Sequence, residues 1–239
     1  MVTCRDSFIE YLKKLGFYDR IVIKQFDMYH QSLVEKNNHL NLFSRKLDID
    51  EIWVRHFLDS LSIFEIYQEM YGKNILDFGT GGGLPGVPIQ IIVSNIFRTK
   101  VTLPFINECG QKLEVNCVDS KMVCLDSTKK KIEAVKNIVD YLKLKNVDFL
   151  DFRIEGKEMT EYHDKFDIII SRAVKTTFTI AQSMLKLLKK GGLIFLYKSN
   201  NYEDVKVFNE YNIHKIEFNF KDWKYSNLLG ERNIIEIKK

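Results

Sequence analysis

The chain has 239 residues, which is enough for one well-buried α/β domain with a smaller attachment. Apolar residues make up 45% and charged residues 28%, and the net charge of +4 permits an acidic partner such as RNA without requiring one. No apolar run approaches the roughly 20 residues of a membrane span, the charged N-terminus does not read as a signal peptide, and four cysteines in a chain this long do not read as a disulfide framework.

The expectation is a cytoplasmic protein with free thiols. Cys109, Cys117 and Cys124 lack zinc-knuckle spacing, so no metal is expected.

The first seventy residues read as helical. Asp19 can cap a long helix with Ile23, Phe26, Tyr29 and Leu33 on one face, ending at Asn37-Asn38. A second helix is expected from about Glu51 to Tyr67, with Asp50 as its N-cap. From Lys73 the texture changes to short apolar runs separated by amphipathic stretches. Strands are expected at Asn74–Phe78, Met122–Leu125, Val147–Leu150, Phe166–Ile170 and Leu193–Tyr197. Helices are expected from Val87, from Ser127-Thr128 through Leu142, and over Thr177–Leu188 until Gly191-Gly192 ends the last. The tail supplies a helix near Asp204–Tyr211, then two strands, Ile213–Phe220 and Asn233–Ile237. Strand alternating with helix implies a mostly parallel sheet covered on both faces. By fold-level analogy, the closing antiparallel pair suggests a seven-stranded, Rossmann-like methyltransferase that uses S-adenosylmethionine (SAM). The expected organisation is a helical cap over residues 1–71 and a SAM-binding domain over 72–239. An inserted hairpin is expected at about 97–121, where a few residues would suffice.

Glycines cluster directly after the first strand, at 79, 81, 82, 83 and 86. In an open parallel sheet the ligand lies at the carboxyl ends of the strands, near this turn, against bare backbone and a helix N-terminus. The dinucleotide fingerprint would need a glycine at position 84, where Leu84 stands, and no G-K-[ST] follows for a P-loop. Gly79, Gly81 and Gly83 instead fit G-x-G-x-G, which with Asp77 on the preceding strand resembles the SAM motif. An acid at the end of the second strand should grip the ribose. Asp126 lies 47 residues after Gly79, or 22 without the 25-residue segment 97–121, and an amphipathic helix starts right after it. Asp126 also has the position of a simple helix cap.

Larger motifs carry a family resemblance. N-L-F-S at 41–44, R-H-F-L-D-S at 55–60, D-F-G-T-G-G-G-L-P-G at 77–86, L-D-S-T-K-K at 125–130, I-S-R-A at 170–173 and G-E-R at 230–232 are involved. Together they resemble the bacterial small-subunit rRNA guanine-N7 methyltransferases, the glucose-inhibited division protein B family. The resemblance implies SAM as cofactor and a guanosine of the 16S decoding region, in free rRNA or the small subunit, as target. It also implies that Gly79 and Leu84 contact SAM, that Ile154 and Glu155 frame the adenine, and that Arg172 completes the site. Guanine N7 carries a lone pair and no proton, so alignment can supply much of the rate without a general base. Positioning then falls to Arg172, Lys198 and Arg232. Arg45, Arg55, His56, Lys129, Lys130, Lys198 and Arg232 are candidates for RNA contact, each alternatively a solvated or packed side chain. Arg55 and Asp59, one turn apart, can pair on a helix surface. The alternatives are methylation of another RNA or of protein, or a catalytically silent RNA-binding relative. Monomer is the default state.

Overall fold

The computed structural model describes residues 3–95, 120–199, 203–208, 212–218 and 232–239. Residues 97–119 of the expected hairpin and 219–231 between the two tail strands lie outside these residues, and Lys121, expected to end the hairpin, opens a strand instead. The element order begins with α1 (Cys4–Lys14), α2 (Arg20–Asn37) and α3 (Asp59–Leu61). β1 (Asn74–Phe78), α4 (Gly86–Ser94), β2 (Lys121–Leu125), α5 (Lys129–Tyr141), β3 (Val147–Leu150) and β4 (Phe166–Arg172) follow. The chain closes with α6 (Phe178–Leu187), β5 (Leu188–Lys198), β6 (Asn212–Phe218) and β7 (Arg232–Lys238).

The seven strands form one sheet in the order β3-β2-β1-β4-β5-β7-β6. The first five pair in parallel, whereas β7 runs antiparallel to both β5 and β6. Residues of β1, β4 and β5 alternate between two cores, as the two-residue period of a strand requires. Ile75, Ile168, Ile170, Phe195 and Tyr197 face α2, α4 and α5, while Leu76, Ile169, Ile194 and Leu196 face α6. The helices of residues 4–65 join the first core directly. Phe8 packs edge-on to Phe26 at 4.8 Å between ring centroids, and Tyr29 stacks on Phe57 at 5.0 Å. Each such buried side chain contributes about 1.5–3 kcal/mol.

Asp19 caps α2 as expected, accepting from the Ile21 N–H. The second expected helix is not a uniform α-helix. Asp50 accepts from the Cys4 N–H, which ties α1 down, and Trp53–Leu58 forms a π-helical turn that leads into α3 and a 3₁₀ turn, Ser62–Glu65. π-helical turns gather at functional sites, and this one carries Arg55 and His56. Gly191-Gly192 does not end α6. β5 already starts at Leu188, and the glycines lie inside it where the register against β4 shifts. The expected tail helix is a 3₁₀ turn, Glu203–Phe208. Among the described residues no helix is long and apolar enough to cross a membrane.

Candidate active site

Three backbone positions in the loop after β1 require glycine. Gly79, Gly81 and Gly83 have φ of 72°, 55° and 92°, in the left-handed region that side chains disfavour. A Cβ at Gly79 would also run into the Val174 side chain. The loop is held from four directions. The Gly79 and Thr80 N–H groups donate to the Leu125 carbonyl at the end of β2, at 2.8 and 3.0 Å. The Tyr29 hydroxyl, buried on α2, donates to the Gly82 carbonyl at 2.8 Å. Asp126 Oδ2 accepts from the Gly81 N–H at 3.1 Å, and Oδ1 accepts from the Thr128 N–H at 2.9 Å. Asp126 therefore anchors the helix start and ties it to the glycine loop. Asp77 Oδ2 accepts from Thr80 Oγ1 at 2.6 Å and from the Gly86 N–H at 2.9 Å.

Full burial raises the Asp77 carboxyl to about 6, against the opposing pull of those two hydrogen bonds and of Arg172. A folded-state value above the unfolded one means the protonated form favours folding. Its stabilising contribution is complete below about 3.8 and is lost as pH rises through about 6. Asp77→Asn keeps an acceptor oxygen and does not titrate. Relative to the wild type it is therefore expected to gain about 2.5 kcal/mol between pH 4 and pH 8, measured by urea unfolding without ligand. A pH-independent difference would refute this account.

A crevice of about 780 Å³ opens above the loop, at the carboxyl ends of the parallel strands. This lies within the range of small-molecule sites, about 300–1,000 Å³. Of the expected cofactor residues, Gly79, Gly81, Leu84, Asp126, Ile154, Glu155 and Arg172 line it. Asp77, behind the loop, and Gly83, within it, do not line the crevice but shape the loop. Of the expected RNA residues, Arg55, His56, Lys198 and Arg232 line the crevice, whereas Arg45, Lys129 and Lys130 are exposed outside it. Lys131, one position further along α5, takes the lining place.

The polar wall opposite the glycine loop is tightly paired. Arg172 Nη1 donates to Asp59 Oδ2 at 2.9 Å, and Arg232 Nε lies 3.3 Å from Asp59 Oδ1. Arg55 instead pairs with Glu51 at 2.6 Å, so the expected Arg55–Asp59 helix-surface pair is not formed. Lys198 Nζ donates to Asp204 at 2.6 Å and to the Val174 carbonyl at 3.0 Å, bracing the turn after β4. That turn is strained, because Ala173 takes a φ of 60°. Burial first, and the Arg172 guanidinium second, lower His56 to about 3 and keep the ring neutral at physiological pH. Tyr29 and Asp59 were not singled out as site residues from the sequence. Asp59 carried a signal in R-H-F-L-D-S, but Tyr29 read as an ordinary core position.

Solved structures with the same fold include precorrin-6y C5,15-methyltransferase from Geobacter metallireducens, with a TM-score of 0.51 and 11% identity over 85% of this chain and 96% of that one. The YcgJ protein of Bacillus subtilis gives a TM-score of 0.51 and 13% identity, covering 75% of this chain and 97% of its own. At that identity they speak for the fold alone. Sequence relatives are closer. Ribosomal RNA small subunit methyltransferase G of Lachnoclostridium phytofermentans is 31% identical, over 98% of this chain and 88% of its own. Its namesake in Carboxydothermus hydrogenoformans is 28% identical, over 91% and 83%. Residues 22–104 and 109–233 match the rRNA small subunit methyltransferase G family (GidB), and the chain belongs to that family.

Proposed function

We propose that this chain transfers a methyl group from S-adenosylmethionine to N7 of a guanosine in the decoding region of 16S rRNA. Residues 72–239 serve as the catalytic domain and residues 1–71 as its helical cap. The cofactor's fit is supported by the left-handed glycines, which leave bare backbone along the crevice, and by Asp126 between loop and helix. Gly79, Gly81 and Leu84 would lie along it, with Asp126 at the ribose and Ile154 and Glu155 at the adenine. When bound, it supplies an electrophilic methyl on a sulfonium centre.

The observation that carries the N7 reading is that His56, Asp59 and Asp126 of the crevice wall are largely buried and already paired. His56 is held neutral with a value near 3, far too weak a base to take a proton. Asp59 is enclosed by two arginines, and both Asp126 oxygens accept backbone N–H groups. Such a wall suits an acceptor that loses no proton, as N7 of guanine does. The chain's contribution is then orientation and the exclusion of water, worth several orders of magnitude when the reacting atoms are held in line. Cys124 is buried in β2 and burial pushes its thiol up, which disfavours a cysteine-nucleophile mechanism.

The test is incubation with labelled SAM and small subunits lacking the modification, followed by digestion to nucleosides. N7-methylguanosine from the decoding region is the expected product. A methyl on any other base, or transfer only to protein, would overturn the assignment.

A further inference from the structure

Tyr29 stands on α2 among the N-terminal helices and is wholly buried. Phenylalanine would fill the same apolar space, and a phenol hydroxyl is costly there unless it finds a partner. Its partner is the Gly82 carbonyl, 2.8 Å away and 53 residues along the chain. That bond fixes a peptide plane. The Gly82 carbonyl belongs to the same peptide group as the Gly83 N–H, which donates to the Thr80 carbonyl at 2.8 Å. A rigid plane is therefore held at both ends, by α2 on one side and by the loop itself on the other.

Packing seats Gly82 against the same helix. A Cβ there would stand 2.9 Å from Leu33 Cδ1 and 3.3 Å from Leu42 Cβ. Tyr29 and Leu33 lie one turn apart on one face of α2. Leu42 is held by Asn37, whose Oδ1 accepts from the Leu42 and Phe43 N–H groups at 2.8 and 3.1 Å. The Tyr29 ring stacks on Phe57 of the π-helical turn, next to His56 in the crevice wall. One side chain thus joins that turn to the glycine loop, and Gly82 itself lines the crevice.

We propose that Tyr29 is a positioning residue for the cofactor. Through the Gly82 carbonyl it holds the glycine loop in its binding conformation before SAM arrives, which makes α2 part of the cofactor site. The proposal rests on the placement of SAM along the loop given above, and the identity of the methylated base does not enter it. Without the hydroxyl the carbonyl loses its partner, the loop samples other conformations, and binding must order it again.

Tyr29→Phe and Phe17→Leu are compared with the wild type as full chains. Phe17 packs edge-on to Phe64 at 4.8 Å, so its replacement loosens the N-terminal helices without removing a bond to the loop. SAM affinity is measured by calorimetry and folding by thermal unfolding. Opening of the loop is read without ligand, from hydrogen exchange of the Gly83 and Leu84 amides, both of which donate to the Thr80 carbonyl. Tyr29→Phe is expected to bind SAM about tenfold more weakly, the scale of one neutral hydrogen bond, and to exchange the two amides about tenfold faster. On unmethylated small subunits its KM for SAM should rise about as much, with kcat within about threefold of the wild type. Phe17→Leu should keep SAM affinity and both exchange rates within about twofold, at a temperature where both variants are folded. Undiminished SAM affinity in Tyr29→Phe would overturn the proposal. Faster exchange in that case would place the fault in the position given to the cofactor, and unchanged exchange in the role given to the hydroxyl. An equal loss of affinity in Phe17→Leu would also overturn it, because the stability of the helices alone would then set SAM binding. If Tyr29→Phe does not fold, Gly82→Ala, whose Cβ presses the loop off Leu33 and Leu42, is read against the same expectations.

Discussion

Gly86→Ala is expected to destabilise the protein by about 3 kcal/mol, from overpacking and a strained buried hydrogen bond together. A Cβ at this position would stand 2.5 Å from Asp77 Oδ2 and 2.9 Å from Asp77 Cβ. That oxygen is the one that accepts the Gly86 N–H, so relief of the clash breaks the bond that starts α4. Asp77 cannot retreat, since it is fully buried in β1 and paired on both sides with β2 and β4. The loop between them would shift, and SAM affinity should fall with stability. Gly72→Ala provides the contrast. Its φ is 68°, but a Cβ there meets nothing within 4 Å, so the cost is about 1–2 kcal/mol from the backbone alone. Thermal unfolding checks both, at about 2–4 °C per kcal/mol for a chain of this size. Equal shifts for the two variants would show that Asp77 does not lock the loop.

The glycine loop was legible because its chemistry is local. Glycine pattern, preceding strand and following helix all sit within Asn74–Ser94, and period and turn residues specify them together. Asp126 required one further step, the discounting of residues 97–121. The polar wall was harder to read. Arg172 and Asp59 are 113 residues apart in sequence, and no periodicity announces a contact between β4 and a π-helical turn. The R-H-F-L-D-S motif suggested that this segment matters, yet the i,i+4 rule paired Asp59 with the wrong arginine. On an exposed helix that rule would stand. Here Asp59 is buried against the sheet, and a buried carboxylate takes the partners that enclose it. The start of β5 was misplaced for a related reason. Gly191-Gly192 reads as a helix stop, but Gly192 lies in a strand where the Asp167 carbonyl approaches to 2.9 Å of a would-be Cβ. Close approach between neighbouring strands, rather than a turn, accounts for that glycine.

Arg172→Ala is expected to lower methyl transfer at least about 100-fold, the scale of a misplaced acceptor. The variant also leaves Asp59 buried with one arginine fewer. Breaking a buried pair costs about 3–5 kcal/mol, and Arg232 at 3.3 Å from the other oxygen holds the loss toward the lower end. Activity must therefore be read well below the variant's own unfolding temperature, with a folded fraction measured in the same buffer. His56 supplies an internal control. Arg172 is the second cause of its lowered value, so the imidazole should titrate above about 3 in the variant. Burial is the larger cause, which keeps it below the ordinary 6.5 as long as the crevice wall stays packed. An imidazole titrating near 6.5 by NMR would mean that the wall has opened and that the loss of activity reports unfolding of the site. A depressed value together with lost transfer isolates the guanidinium itself. Full activity in a folded variant would remove Arg172 from the reaction, and with it the reason for Asp59 to be buried beside the crevice.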